Sequence, residues 1–512
     1  MDRYLLGVDV GTSSVKVAVI NENGKLLGIS SSSYVLIHEK TGYAQIDSKS
    51  MWDAYLKCLR LLFQGKNIDP QKVTGIGISS LCPGLTAMGA NGEILVEPII
   101  YSDRRSVQEA EIMKAAVAEE EQFAITANSI MAGAISGTSI LWIKRKFPGL
   151  YAKTKYFGHV NTLMAQWMTG VFAMDYSNAS YTGLFETAKG SRGTWSPMLC
   201  EKMGIAIEKL PPLMNSASMV GGVIHPDLLE LGISKNTVVV IGGADTPCAT
   251  LAAGVTRAGD VCESAGTTNV LTICVEQPKF DKSFINRCHV VDGTWIYQGA
   301  LSHTGASYQW FRDNFCRDIV EKANGASAES FRLMNEEAAL ARPGSDGVVF
   351  LPYMQGERSP IWDPYAKGVF FGMTLGTTRK ELNRAIMEGC GYGLRQLSEI
   401  AERVTGWKIK EFASIGGGAK SEVWAQIKAD ITGKDIKILD MNDTAPVGAA
   451  LLAGVGAGVF GDVYDAVDHV EKKVFKEIKS NNEYEYVYGK GYRIYTELYP
   501  RIKELYHAKN EL

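Results

Sequence analysis

The chain lacks the features that mark membrane, secreted and nucleic-acid-binding proteins. Its 512 residues include no apolar run of membrane-spanning length. The N-terminal segment MDRYLLGVDV passes directly into a predicted strand, without the pattern of a signal peptide. The formal net charge of -3 gives no basic excess for binding nucleic acid or an acidic membrane surface. We therefore expect a cytoplasmic protein that binds a small molecule, with no nucleic-acid or membrane partner.

Paired cysteine motifs are also absent. The nine cysteines stand singly and form no C-x-x-C pair for zinc, so we expect reduced thiols. Hydrophobic residues make up 46% of the chain and charged residues 21%, which is typical of a globular protein with large cores. The length allows two or three domains.

The familiar nucleotide-binding motifs are missing too. The sequence has no G-x-x-x-x-G-K-[ST] loop and no protein-kinase motif set. The segment GAGVFG, residues 456–461, matches G-x-G-x-x-G but follows a helix-like segment instead of a strand. It predicts a helix that ends in a loop, which makes an oxidoreductase a weaker alternative.

Hydrophobic patterning divides the chain into two halves of similar design. The first half opens with three predicted strands, YLLGVDVG, VKVAVI and LLGISSSSY. A helix, DSKSMWDAYLKCLRLLF, capped at Asp47 or Ser48, and the strand VTGIGISSL follow. The second half begins near residues 245–256, and its strands again end in glycine turns. The two halves therefore share an architecture without a tandem repeat.

Three glycine turns, DVGTSS, SAGTTN and IGGGAK, each follow a predicted strand. Their backbone N–H groups form the kind of cradle that binds phosphate, and Thr12, Ser13, Thr267 and Thr268 add hydroxyl donors. Asp9 stands beside the first turn, where it could hold Mg²⁺ through water. Asp245 follows the strand TVVVIGGA. A capping or turn role for either aspartate is the alternative.

On these residues the chain resembles the FGGY carbohydrate kinases from about Tyr4 to Phe460. The segment GVFFGMTLGTTRKELNRAIME, Gly368–Glu388, matches the second signature of that family, and FLPYMQGERSPIWDP, DYSNASYTGLFE and GALSHTGASYQWFRD are similar to family segments in family order. The resemblance implies an α/β fold of two actin-like ATPase (ribonuclease H-like) domains around a central cleft. It implies an N-terminal domain over 1–248, with the sugar site and first phosphate loop, and a nucleotide-binding C-terminal domain over 249–470. A helical tail over 471–512 is expected to follow.

The resemblance also implies roles for individual residues. Asp245 corresponds to the catalytic base, and Asp9 and Asp245 to the Mg²⁺ site. The nucleotide site would comprise Gly11, Thr12, Ser13, Lys16, Gly266, Thr267, Thr268, Gly305, Gln309, Gly417, Gly418 and Ala419. The sugar site would comprise Cys82, Pro83, Asp103, Asp245 and Thr246.

Several positions differ from the family pattern on the sugar side. Xylulose kinases have Gln-Met-His-Gly where this chain has Leu81-Cys82-Pro83-Gly84. Tyr101 takes the aromatic place in YSDRR, and Ser139 stands where a lysine is expected. The predicted function is ATP-dependent phosphorylation of a hydroxyl of a sugar, polyol or sugar acid. Three kinds of enzyme stay open: a xylulose kinase-like enzyme, a gluconate kinase and a polyol kinase. A non-catalytic, nucleotide-gated actin-like scaffold is the distant alternative. For the oligomeric state, the prediction allows a homodimer.

Overall fold

A computed structural model of the protein describes residues 3–66, 68–441 and 443–509. The strands are β1 (Tyr4–Val10), β2 (Ser14–Asn21), β3 (Leu26–Ser33), β4 (Leu36–Ile37), β5 (Gln45–Ile46), β6 (Val73–Ser80), β7 (Gly84–Met88), β8 (Ile94–Ile100), β9 (Tyr156–Gly158), β10 (Met174–Asp175), β11 (Leu213–Met214), β12 (Met219–Gly222), β13 (Val238–Ala244), β14 (Val261–Ala265), β15 (Asn269–Val275), β16 (Ile285–Cys288), β17 (Trp295–Leu301), β18 (Val349–Leu351), β19 (Val369–Phe371), β20 (Glu411–Ile415), β21 (Asp435–Leu439) and β22 (Val474–Ile478).

The helices alternate with these strands along the chain. They are α1 (Ser48–Gly65), α2 (Val107–Ala116), α3 (Glu119–Thr126), α4 (Ser136–Lys146), α5 (Pro148–Lys153), α6 (Val160–Thr169), α7 (Tyr176–Ala179), α8 (Pro197–Lys202), α9 (Pro226–Glu230), α10 (Asp245–Ala252), α11 (Thr304–Phe315), α12 (Arg317–Lys322), α13 (Ser327–Ala339), α14 (Arg379–Thr405), α15 (Glu422–Thr432), α16 (Thr444–Gly456), α17 (Val463–His469) and α18 (Glu485–Lys509).

The first half is built on a sheet with the strand order β12-β13-β6-β1-β2-β3. Strands β1, β2 and β3 form an antiparallel meander, and β1, β6 and β13 run parallel. The predicted β-β-β-α-β order is confirmed. Helix α1 begins where the sequence indicates, because the Asp47 carboxylate accepts a hydrogen bond from the Ser50 amide at 2.8 Å.

The second half repeats this design in a sheet with the order β16-β17-β15-β14-β20-β21-β22. Strands β14, β15 and β17 form the meander, and β14, β20 and β21 run parallel. The segment GAGVFG lies at the end of α16 and in the loop that follows it, as the sequence predicts. The two halves therefore present matching strand ends and turns.

Helices α10 and α16 join the two halves. They pack against each other, and α16, which follows β21 of the second sheet, also packs on β1 and β6 of the first. A Cβ atom on Gly77 of β6 would lie 1.9 Å from the carbonyl oxygen of Ala449, so only glycine allows this contact. Through α16, the second half thus packs directly against the sheet that carries Asp9.

The remaining elements cover this framework. A smaller sheet, β4-β5-β8-β7-β9, extends the first half, and α18 packs its tyrosines into the core around α14. The expected tail, 471–512, contains the edge strand β22 as well as α18, and the predicted boundary at residues 248 and 249 lies within α10. Among the described residues, no helix combines the length and apolar composition needed to cross a membrane.

Candidate active site

The candidate site lies at the carboxyl ends of the parallel strands β1, β6 and β13, the edge at which open α/β sheets bind ligands. Asp9 of β1 is in register with Ser79 of β6, and Ser79 is in register with Gly243 of β13. Asp245 follows β13 as the first residue of α10. The fold therefore brings the two predicted acids to one edge, separated by the single strand β6.

Asp9 is buried beside the first glycine turn. Its side chain accepts a hydrogen bond from the Ser79 hydroxyl at 2.7 Å. The pKa of Asp9 is raised to about 6, mainly by burial and also by the nearby charge of Asp245, while Ser79 and Lys16 lower it. Burial therefore disfavours the charged form of this carboxylate, and a cation bound beside it would stabilise that form.

Asp245 lies at the start of α10 and is partly exposed. Its Oδ1 atom accepts a hydrogen bond from the Thr246 amide at 2.6 Å and lies 3.3 Å from the Thr246 hydroxyl. Burial raises the pKa of Asp245, and the charge of Arg287 opposes that shift. A carboxylate with a raised pKa and a partly exposed position can accept a proton from a ligand.

Residues of both halves of the chain contact the first glycine turn, DVGTSS, and the strand that follows it. The Gly11 amide donates to the Ser14 carbonyl at 3.0 Å, and the Thr12 hydroxyl lies 3.1 Å from the Tyr101 hydroxyl. Lys16 pairs with Asp443, which precedes α16 in the second half. Ser13 is exposed at the tip of the turn.

The second and third turns lie together because β14 and β20 are parallel neighbours. The Gly266 amide donates to the Thr268 carbonyl at 2.9 Å, and the Thr267 carbonyl accepts from the Ala306 amide at 3.1 Å. A Cβ atom on Gly305 would lie 2.2 Å from the Gly266 carbonyl oxygen, so glycine lets α11 approach this turn. Gly417, Gly418 and Ala419 form a short helical turn after β20, and Gln309 is exposed on α11.

The predicted sugar residues occupy two settings. Cys82 and Pro83 follow β6 and are joined by a cis peptide bond, and the Cys82 sulfur lies 3.8 Å from Nδ1 of His159. Asp103 is buried and pairs with Arg105 at 2.8 Å, while its Oδ2 atom also accepts from the Ala44 amide at 2.7 Å. Asp103 therefore already has protein partners, and its contact with a sugar stays a prediction, as does that of Thr246.

Sequence reasoning did not identify three further residues: His159, which lies beside Cys82, and Tyr181 and Arg287, which act on Asp245 or are acted on by its charge. His159 lies 2.9 Å from the Ser136 hydroxyl through Nε2 and 3.1 Å from Asn178 Oδ1 through Nδ1, and burial lowers its pKa to about 4. Tyr181 and Arg287 stack, with the guanidinium carbon 3.8 Å from the ring centroid. The only sequence signal for Arg287 is an arginine within the short strand INRC, which is too weak to identify a site.

The carboxylates suit a nucleotide-bound magnesium ion better than a metal enclosed by protein. Within the described ranges, no group of three or more histidine, cysteine, aspartate or glutamate side chains is arranged to hold a metal. Asp9 and Asp245 supply two hard oxygen ligands beside a phosphate turn, and Mg²⁺ takes few carboxylates together with water and phosphate oxygens. The residues present therefore fit Mg²⁺ bound with ATP.

Comparison with known proteins defines the class. The model of the N-terminal domain of the FGGY family of carbohydrate kinases matches residues 4–252, and that of the C-terminal domain matches residues 262–457. The chain belongs to the FGGY family of carbohydrate kinases. It is an ATP-dependent phosphotransferase with an alcohol group as acceptor, and the two actin-like domains around a cleft are confirmed.

Particular relatives extend over nearly the whole chain. The xylulose kinase of Bacillus subtilis (strain 168) is 28% identical over 510 residues, which cover 98% of each chain. The gluconokinase of the same strain is 26% identical, with 91% of this chain and 90% of the relative covered. The crystal structure of xylulose kinase from Rhodospirillum rubrum has a TM-score of 0.88 at 25% identity, and covers 99% of this chain and 100% of its own.

Proposed function

We propose that Asp245 is the general base of the kinase reaction. It accepts the proton of the substrate hydroxyl while that oxygen attacks the γ-phosphorus of ATP in line; the new P–O bond forms as the bond to the β-phosphate oxygen breaks, and ADP leaves. The observation that carries this role is the placement of Asp245 at the end of β13, partly exposed and with its pKa raised by burial. A raised pKa makes the carboxylate a stronger base.

The phosphate groups of ATP would lie between the glycine turns of the two halves. Gly11, Thr12, Ser13 and Lys16 would bind from the first half, and the turns at 266–268 and 417–419, with Gly305 and Gln309, from the second. Asp9 and Asp245 would hold Mg²⁺, which neutralises phosphate charge when bound. The Lys16–Asp443 pair supports this arrangement, because it joins the first turn to the second half.

The substrate would lie beside β6, against Cys82 and Pro83 and close to Thr246, with Asp103 behind them. Relatives named xylulose kinase and gluconokinase both match this chain, so xylulose and gluconate are the first substrates to test. The domain division at residues 248 and 249, a homodimer and a cytoplasmic location stay predictions. The nine free cysteines are compatible with a reducing compartment.

The experiment measures ADP release by the wild-type enzyme and by Asp245→Asn with ketopentoses, pentitols, glycerol and gluconate. Asparagine keeps the size of the side chain but cannot take the proton, so kcat should fall by about 10²- to 10⁴-fold. The melting temperature should not fall, and ATP affinity should stay within a few-fold. A variant that keeps more than about a tenth of wild-type kcat would show that Asp245 is not the base.

A further inference from the structure

Arg287 is a buried cation without a matching anion. It lies in β16, at the edge of the second sheet, and is 3% exposed. Its Nε and Nη1 atoms have no hydrogen-bond partner among the residues that the structure describes. Within those residues no carboxylate oxygen forms an ion pair with it at 4.0 Å or less. Asp245 acts on Arg287 through its charge, but buried N–H groups without a hydrogen-bond partner are costly, so a further acceptor is expected from a ligand.

Arg287 is held in position by contacts of its two neighbours in the chain, Asn286 and Cys288. Asn286 accepts a hydrogen bond from Asn128 of the first half at 2.6 Å and donates its amide to the same side chain at 3.0 Å. The Cys288 amide donates to the Ser180 hydroxyl at 3.1 Å. Strand β16 is thereby tied to the first half at the residues that flank Arg287, so this arginine is held where the two halves meet.

The surroundings of Arg287 belong to the sugar side of Asp245 and not to the phosphate side. Its guanidinium stacks on Tyr181. Burial raises the pKa of Cys82 and of Asp245, and in both cases the charge of Arg287 opposes the shift. The cation beside the first glycine turn is instead Lys16. Its charge lowers the pKa of Asp9, although burial, Ser79 and Asp245 have larger effects on that pKa. The charge of Arg287 thus acts on Cys82 and Asp245, whereas that of Lys16 acts on Asp9.

We infer that Arg287 is a specificity-determining residue that binds the carboxylate of the acceptor substrate, so the preferred acceptor is a polyhydroxy carboxylic acid, an aldonate. Arginine binds carboxylates through charge-assisted hydrogen bonds, and a neutral ketose or polyol would leave the cation uncompensated. The inference rests on the proposed role of Asp245, because the acceptor hydroxyl must reach that carboxylate while the acid group meets Arg287.

A rival role for Arg287 is to act through Asp245 by keeping that carboxylate ionised. In that case its removal would reduce kcat equally for all acceptors and would move the acidic limb of the pH–rate profile upward. Recognition of a carboxylate predicts a different pattern, since the loss would appear in KM and only for an acid acceptor. The two roles are therefore separable in one set of measurements.

The test uses D-gluconate, D-xylulose and D-glucitol as acceptors for the wild type, Arg287→Met and Arg287→Lys, with ADP release as the readout. We expect gluconate to have the highest kcat/KM in the wild type. In Arg287→Met its KM should rise about 10- to 100-fold, with a change of less than about threefold for the neutral acceptors. Lysine should restore part of the loss. The exposed Arg332→Met serves as the matched control and should change none of these values.

Binding gives a second readout that does not need turnover. Gluconate should raise the melting temperature of the wild type but not of Arg287→Met, whose ligand-free melting temperature should be equal or higher, because an unpaired buried charge is gone. A preference of the wild type for xylulose or glucitol, or an equal loss on all acceptors, would overturn the inference and leave the kinase assignment intact. Failure of the proposed function looks different: Asp245→Asn would then retain more than about a tenth of wild-type kcat.

Discussion

The two sheets share the order of six strands, to which the second adds the edge strand β16, but they carry their acids differently. When the glycine turns are aligned at Gly11 and Gly266, Asp9 of β1 corresponds to Ser264 of β14. The second sheet has its acid one position earlier, at Glu263, which is buried and pairs with Lys428. Its other oxygen accepts a hydrogen bond from the Ser414 hydroxyl at 2.6 Å. The acid of the first sheet accepts a hydrogen bond from the Ser79 hydroxyl, whereas the acid of the second is neutralised by a buried lysine.

This difference explains how a duplicated architecture supports an asymmetric reaction. The proposed acids both belong to the first half: Asp9 lies in β1 and Asp245 follows β13. The second sheet offers turns of glycine and threonine, whose neutral N–H and hydroxyl donors suit the phosphates of a nucleotide. Changing the acid of each sheet should therefore have opposite consequences.

Glu263→Gln should have the largest effect, and it should be on stability. The glutamine leaves Lys428 buried without a counter-charge, which typically costs about 3–5 kcal/mol. We expect a large fall in the free energy of unfolding in urea, with kcat of the folded enzyme nearly unchanged at low temperature. The control is Glu411→Gln in β20, whose pairing with Lys437 is half exposed and which should stay within about 1 kcal/mol of wild type.

A second variant makes this result decisive. In the double variant Glu263→Gln/Lys428→Met the buried cation is also removed, so part of the lost stability should return. If Glu263→Gln instead reduces kcat strongly without loss of stability, the second sheet carries a catalytic acid and the comparison between the sheets is wrong.

Asp9→Asn should reduce activity and increase stability. If Asp9 holds Mg²⁺ through water, its loss should reduce kcat by about 10- to 100-fold, the range found when outer-shell metal partners are removed. The concentration of Mg²⁺ that gives half-maximal rate should rise. The melting temperature at neutral pH should also rise, because the asparagine removes a carboxylate whose pKa burial raises to about 6.

The sign of the pH dependence follows from linkage. The folded protein binds the Asp9 proton more tightly than the unfolded chain does, so wild-type stability relative to Asp9→Asn should fall as pH rises from 3.8 to about 6. Thermal unfolding of both proteins across this range measures the difference. A lower melting temperature of the variant at neutral pH, with unchanged Mg²⁺ dependence, would contradict this prediction. It would show that Asp9 stabilises the fold by accepting the hydrogen bond from Ser79 and does not hold Mg²⁺.

Most of the framework could be predicted because its signals are local. The meander, α1, and the glycine turns after β1, β14 and β20 are each contained within short segments of sequence, and alternation or helical periodicity reveals them. The placement of Asp9 and Asp245 at one edge depends on the parallel pairing of β1, β6 and β13, which patterning within single segments does not give. The local expectations needed no knowledge of how the two halves meet.

The contacts between the halves could not be predicted from such signals. Lys16 and Asp443 are 427 positions apart, and their pairing depends on α16 packing on the first sheet. Arg287 reaches the vicinity of Asp245 from the edge strand of the other sheet, held by Asn128. The prediction for Asp103 comes from the resemblance of its segment to the family pattern, which does not reveal that Arg105 occupies both of its oxygens. Periodicity reports the face of an element, not the partner it meets.

The smallest expected effect, on Cys82, tests whether the first sheet also supplies the sugar contacts. Cys82→Ala removes a sulfur that lies beside His159, so the shape and polarity of the predicted acceptor pocket change while the phosphate turns do not. We expect KM for the best acceptor to change by roughly tenfold, the low end of what one missing group in a pocket costs, with KM for ATP nearly constant. Steady-state ADP release at varied acceptor and varied ATP measures both. The control is Cys200→Ala, at a buried cysteine of the first half, which should leave both constants unchanged. Equal changes for acceptor and ATP, or none for either, would mean that Cys82 only shapes the turn after β6 and that the acceptor binds elsewhere.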